Sequence, residues 1–208
     1  MCEGWCRRAC AEVEAEIRRV REGRAKPIVV AIDGGSGSGK STLAACVASR
    51  LDAAVIPVDD FFAADIPESA WETFSVEERL AHVFDWKRLH EDAILPLLEG
   101  SRASWHAFDF ARGLRADGTY GMQAAPTEVD PAAVMLLDGA YSAGPALADL
   151  VDLAVLVDVP VEVRHARLAA REEAAFLARW HQRWDPVEAY YFERVRPPDA
   201  FDLVIDAV

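Results

Sequence analysis

Short, continuously apolar runs alternate along this chain with longer stretches in which apolar positions recur every three or four residues. The runs are Pro27–Ile32, Ala54–Val58, Ala133–Leu137, Leu153–Val157 and Leu203–Ile205. Runs without a polar alternate belong to strands buried on both faces, so they predict a mostly parallel sheet covered on each side by helices. Pro57 weakens the second run as a strand, because proline removes a ladder donor. Helical periodicity covers residues 2–23, the segment ending at Leu51, and Val161 to about Arg183, with a further helix after Pro186 to about Val195. Ser75-Val76-Glu77-Glu78 spells a capping box and opens a short helix to about Val83. Asp85 is placed to cap a helix from Trp86 to Leu98, which Gly100 stops. Residues 63–74 read as irregular, Ala103–Phe110 as extended, and 111–131 as a loop or hairpin. The expected fold class is α/β, a three-layer α/β/α sandwich with a mostly parallel sheet. It forms one domain over 1–208, with a core of 24–60 and 130–208. Residues 61–129 are an insertion-like cap over the carboxyl ends of the strands, where such sheets bind ligands.

One loop narrows the chemistry. Gly34-Gly35-Ser36-Gly37-Ser38-Gly39-Lys40-Ser41-Thr42 fits G-x-x-x-x-G-K-[ST], follows the first apolar run and precedes a helix. That is the context in which the motif binds phosphate. Glycines let backbone N–H groups point inward at phosphate oxygens, and the new helix adds its positive end. The expected nucleotide contacts are Gly35, Ser36, Gly37, Ser38, Gly39, Lys40, Ser41 and Thr42. Lys40 would reach the β- and γ-phosphates of ATP, and the Ser41 hydroxyl would ligate Mg²⁺.

Three further sets of residues follow from position. Asp59 and Asp60 end the second strand, and a carboxylate there could accept the proton of an attacking hydroxyl. They should point in different directions, so one of them does this. Asp138 follows the strand Val134–Leu137 and is expected to hold Mg²⁺, usually through water. Arg164, Arg167 and Arg171 share one helix face and could neutralise charge on a transferring phosphoryl group. In the cap, Asp85, Trp86, Phe108, Asp109, Phe110, Arg112 and Arg115 suit a polar, ring-bearing substrate; Trp180, Trp184, Tyr190 and Tyr191 fall at helical spacing and read as core. The histidines 90, 106, 165 and 181 show no ligand spacing.

Composition then removes alternatives. The formal charge is −13, which disfavours a nucleic-acid partner and requires a locally positive pocket for ATP. Asn is absent, so the guanine-reading Asn-Lys-x-Asp element of GTPases is absent too. No run reaches the roughly 18 apolar residues of a membrane span, and the N-terminus lacks a signal-peptide pattern; a cytoplasmic location is expected. Cys2, Cys6 and Cys10 continue through Val13 and Ile17 as one apolar helix stripe, read as small buried hydrophobes. That helix could dock on its own chain or on a second copy in a homodimer.

These residues resemble the uridine kinase family of P-loop kinases, with phosphoribulokinase and bacterial pantothenate kinase as wider relatives. The resemblance is sharp at Gly34–Thr42 and at Val58-Asp59-Asp60-Phe61-Phe62, which is similar to the family's Asp-x-Phe-aromatic element. It implies that Asp59 is the proton acceptor and that Phe62 contacts substrate. Phe84-Asp85-Trp86, Phe108-Asp109-Phe110 and Leu136-Leu137-Asp138-Gly139 resemble further family elements, although nucleoside kinases usually carry Glu-Gly at the last. Arg167 and Arg171 match the start of a lid, residues 161–185, that folds over ATP. The family's lid glycine is replaced by Glu172-Glu173-Ala174, and Gly113 and Leu114 stand near its usual histidine. The resemblance implies ATP- and Mg²⁺-dependent phosphorylation of a hydroxyl on a small metabolite, nucleoside- or sugar-like. An antibiotic-inactivating phosphotransferase and a regulator using ATP as a switch remain alternatives.

Overall fold

In a computed structural model, which describes residues 4–207, the strands are β1 (Ile28–Asp33), β2 (Ala54–Pro57), β3 (Ala103–Trp105), β4 (Thr127–Val129), β5 (Val134–Asp138), β6 (Leu153–Asp158) and β7 (Leu203–Asp206). Five of them form one parallel sheet in the order β2-β5-β1-β6-β7, and β3 and β4 make a separate antiparallel pair in the cap. Pro57 is tolerated because β2 is an edge strand and Pro57 is its last residue.

Alternate residues of the central strands feed two cores. Ile28, Val30 and Ile32 face one with Leu136 and Val155; Val29 and Ala31 face the other with Leu137 and Leu156. The first core is covered by α1 (Gly4–Arg21) and α2 (Lys40–Leu51). Cys6, Cys10 and Cys46 lie buried within it outside any disulfide, and burial pushes the Cys10 pKa up to about 12. Cys2 lies outside the described residues. The second core carries the cap and the C-terminal helix.

The cap holds α3 (Glu68–Thr73), α4 (Val76–His82), α5 (Trp86–Arg88) and α6 (Leu95–Leu98). Ser75 and Glu78 close the capping box, and Asp85 accepts the Arg88 N–H. The expected helix from Trp86 to Leu98 is continuous but widened between α5 and α6 into a π segment, Leu89–Ile94. Leu95 N–H bonds back to His90 O, and Pro96 follows with no N–H to restore the ordinary ladder. Helix α3 corrects the expectation of irregular chain at 63–74. Its anchor is Trp71, which is fully buried.

A second correction concerns the C-terminal helices. The expected helix from Val161 to Arg183 breaks after α7 (Val161–Ala169), and α8 (Ala174–Tyr190) runs through Pro186 to a π turn, Tyr191–Val195. The two faces of the sheet cause the break. Val163 of α7 packs against the first core, whereas Trp184, Val187 and Tyr191 enter the second, and one straight helix cannot reach both. No glycine or proline marks the turn; Glu173 simply adopts an extended conformation. Pro186 is tolerated on an exposed face, where the carbonyl it leaves unpaired can meet water.

Ile17, fully buried between α1 and the sheet, tests whether α1 belongs to the cooperative unit. Ile17→Ala should lower unfolding stability by about 2–5 kcal/mol with an unchanged denaturant slope, measured by urea titration.

Candidate active site

Every functional element converges at the carboxyl ends of the strands. The loop between β1 and α2 is packed so closely that a Cβ on Gly34, whose φ is +148°, would lie 2.6 Å from Val157 O, and one on Gly35 would press on the Arg164 guanidinium and the Glu188 carboxylate. At Gly34 the obstacle is backbone and only glycine fits; at Gly35 a side chain would displace that ion pair. The first turn of α2 then offers N–H groups that have no intrahelical acceptor.

Asp33, the last residue of β1, holds the base of this loop. Its fully buried carboxylate accepts hydrogen bonds from Gly34 N (2.7 Å), Tyr141 N (2.8 Å), Ala143 N (3.0 Å) and Tyr191 OH (2.7 Å). Burial raises its pKa, and these bonds work in the opposite direction by favouring the ionised form. A second brace comes from α8. Glu188 accepts Ser36 N–H at 2.7 Å and pairs with Arg164 of α7 at 2.6 Å, while Arg164 donates to Ser36 O at 3.1 Å. Neither Asp33 nor Glu188 was among the expected site residues. Asp33 abuts the glycine motif, but nothing in the spacing shows that Glu188, far along the chain, returns to Ser36.

The loop opens into a cleft of about 1010 Å³. Lys40, Ser41, Thr42, Asp59, Phe62, Asp138, Arg167 and Arg171 all line it. Ser36, Gly37 and Gly39 line it as well, but Ser38 turns its fully buried hydroxyl away beneath the loop. Lys40 Nζ donates to Gly34 O (2.9 Å) and Gly35 O (3.1 Å), which holds the ammonium across the loop's mouth.

Asp59 and Asp60 diverge, as expected for neighbours in the 3₁₀ turn Val58–Phe61. Asp60 accepts Trp105 Nε1–H at 2.8 Å and serves the cap. Asp59 faces the cleft. Its side chain is exposed to the solvent of the cleft. Desolvation by the cleft walls raises its pKa even though the side chain is open to the cleft; Lys40 opposes the rise, the neighbouring carboxylates of Asp138 and Asp60 add to it, and Arg171 opposes it more weakly. Asp138 is also raised by burial, against a hydrogen bond from the Ser41 hydroxyl and the charge of Lys40. Its Oδ1 is buried with no hydrogen-bond partner among the described residues.

Two arginines differ in their freedom. Arg167 donates to Gly37 O, Ser38 O and Ala207 O, so its guanidinium braces the loop. Arg171 lies in the turn between α7 and α8, exposed apart from a contact with Glu172. Other expected residues do not reach the cleft. Asp85 caps α5; Asp109 accepts the Ala111 and Arg112 N–H groups within its own turn; Arg112 pairs with Asp109; and Phe108 is buried behind Phe62, their ring centroids 5.0 Å apart. The wall consists of Phe62 and Phe110, both expected on the substrate side, together with Phe84, Phe176, Trp180 and Trp184, of which the two tryptophans were expected in the core. Trp5, from α1, closes the other end against Gly39.

The profile of the phosphoribulokinase/uridine kinase family matches residues 29–181. The chain belongs to that family. It is 26% identical over 193 residues to a uridine kinase of Mycoplasma pneumoniae, covering 86% of this chain and 85% of that one. A uridine kinase of Deinococcus deserti is 30% identical over 158 residues, covering 72% and 70%. The fold matches a possible uridine kinase from Bacillus stearothermophilus at a TM-score of 0.72, with 19% identity and 96% and 98% of the two chains covered. The family's activity and the loop geometry make this chain an ATP-dependent small-molecule kinase. Trp5 and Glu188 both lie outside the matched residues.

Arg164 and Glu188 are almost wholly buried, so removing one partner strands the other charge. Glu188→Ala should cost about 3–5 kcal/mol of stability. It should also raise KM for ATP more than it lowers kcat, read from steady-state kinetics beside a thermal melt.

Proposed function

We propose that this kinase phosphorylates a hydroxyl of a ring-bearing small metabolite, nucleoside- or sugar-like, with Asp59 as general base. The observation that carries this is the position of Asp59: an acid at the cleft floor, between the phosphate loop and an aromatic wall. The uridine kinases among its relatives support a nucleoside acceptor.

The roles follow from the geometry. The loop amides and Lys40 bind the terminal phosphates. The Ser41 hydroxyl and Asp138, two hard oxygen ligands already in contact, would hold Mg²⁺, and the unpartnered Asp138 Oδ1 suits that charge. When bound, the ion would neutralise charge building on the phosphate oxygens. Asp59 accepts the acceptor's proton, which orients the oxygen for attack. Arg171 swings over the transferring group and excludes water, while Arg167 keeps the loop carbonyls in place. Phe62 and Trp184 flank the acceptor ring, and Trp5 closes the nucleotide end.

Asp59→Asn should lower kcat by about 10²–10⁴-fold with little change in ATP affinity. The same change should raise thermal stability. A carboxyl whose pKa is higher in the folded protein than in the unfolded chain loses stability as pH rises through that window, and the amide removes the penalty. A kcat that survives would show that Asp59 is not the base; a Tm that falls would show that its carboxylate is not a burden on the fold. Screening ATP consumption against nucleosides, pentoses, pantothenate and hydroxylated antibiotics identifies the acceptor.

The pH profile gives an independent check. A base must be ionised, so kcat/KM should fall as pH drops through the raised pKa of Asp59, placing the acid limb above the ordinary aspartate range.

A further inference from the structure

A second chemical cluster lies away from the cleft, between α7 and α8. His165 of α7 meets His181 and Asp185, which stand one turn apart on α8. His181 Nδ1 is 3.0 Å from Asp185 Oδ1, and His165 Nε2 is 3.2 Å from Asp185 Oδ2. The imidazole centroids are 3.9 Å apart. One ligand atom from each residue lies within 4.8 Å of the other two, and all three residues are half-buried. None of them lines the kinase cleft.

The decisive detail is His165 Nε2. It is shielded from solvent, yet it makes no hydrogen bond among the described residues, because its approach to Asp185 has the wrong angle for one. A trio held together by hydrogen bonds alone would satisfy that nitrogen. Two imidazoles and a carboxylate are instead a ligand set for borderline divalent ions, and tetrahedral bonds of about 2.0–2.1 Å place ligands about 3.3 Å apart. The ligand atoms, within 4.8 Å of one another, would draw together by rotation of the side chains to reach it.

We propose that His165, His181 and Asp185 bind a divalent transition-metal ion of the zinc type, with water completing the fourth position. The ion staples α7 to α8 across the turn that carries Arg171, and so fixes the base from which that arginine swings. The sites are chemically distinct, since the Ser41–Asp138 pair offers only oxygen. The metal site therefore stands whether or not the acceptor reading above is correct.

The test uses chelator-stripped full-length protein without nucleotide. Calorimetric titration with Zn²⁺ should show one equivalent bound, and Zn²⁺ should raise the Tm of the wild type. His165→Gln and His181→Ala should each weaken binding by at least about tenfold and abolish the Tm rise. Co²⁺ titrated into the wild type reports the ligands without relying on any variant's folding. Imidazole and oxygen ligation gives d–d bands without a thiolate charge-transfer band. Failure to bind Zn²⁺, unchanged affinity in both variants, or a thiolate band from the buried cysteines would each overturn the proposal.

Discussion

The carboxylate of Asp33 is the constraint on which the site depends. A charge without solvent contact survives only where several donors converge on it, and four do here. Each comes from a part the chemistry needs in register. Gly34 opens the phosphate loop, Tyr141 and Ala143 follow the strand that ends in Asp138, and Tyr191 continues the helix that brings Glu188 to Ser36. Loss of the carboxylate would free three segments at once, because each donor would be left buried and unsatisfied.

From that anchor the site divides into a heavily braced half and a sparsely braced one. The loop is wedged between Val157 O, the Arg164–Glu188 pair and Arg167, so its curl exists before any phosphate arrives. Preorganised donors cost no rearrangement when charge develops. The turn carrying Arg171 has none of these restraints. It sits between two helices committed to opposite faces of the sheet.

Much of this arrangement was legible in the residues. The strand–loop–helix around Gly34–Thr42, the burial of the central strands and the divergence of Asp59 from Asp60 follow from local pattern. The break after Ala169 does not, because it arises from which core each helix packs against, and no local residue encodes it. The cap misled for a related reason. Asp85 and Asp109 carry the spacing of a binding motif, but short-range bonds to Arg88, Ala111 and Arg112 N–H groups use them as caps and turn formers. Residues that act across the chain were the least visible. Glu188 contacts a loop 152 positions away, and Trp5 reaches Gly39 from a helix whose periodicity announces only a core stripe.

The acidity of the chain sharpens the electrostatic argument. A protein with a formal charge of −13 should repel ATP, yet the cleft gathers Lys40, Arg167 and Arg171 at one end. Low-dielectric walls strengthen those cations locally, while the outer surface repels other polyanions. The same walls raise the pKa of Asp59, so one property of the cleft serves both tasks. On the proposed reading, phosphate would be gripped where the cations cluster, and Asp59, as base, would be brought closer to the basicity that proton transfer from an alcohol demands.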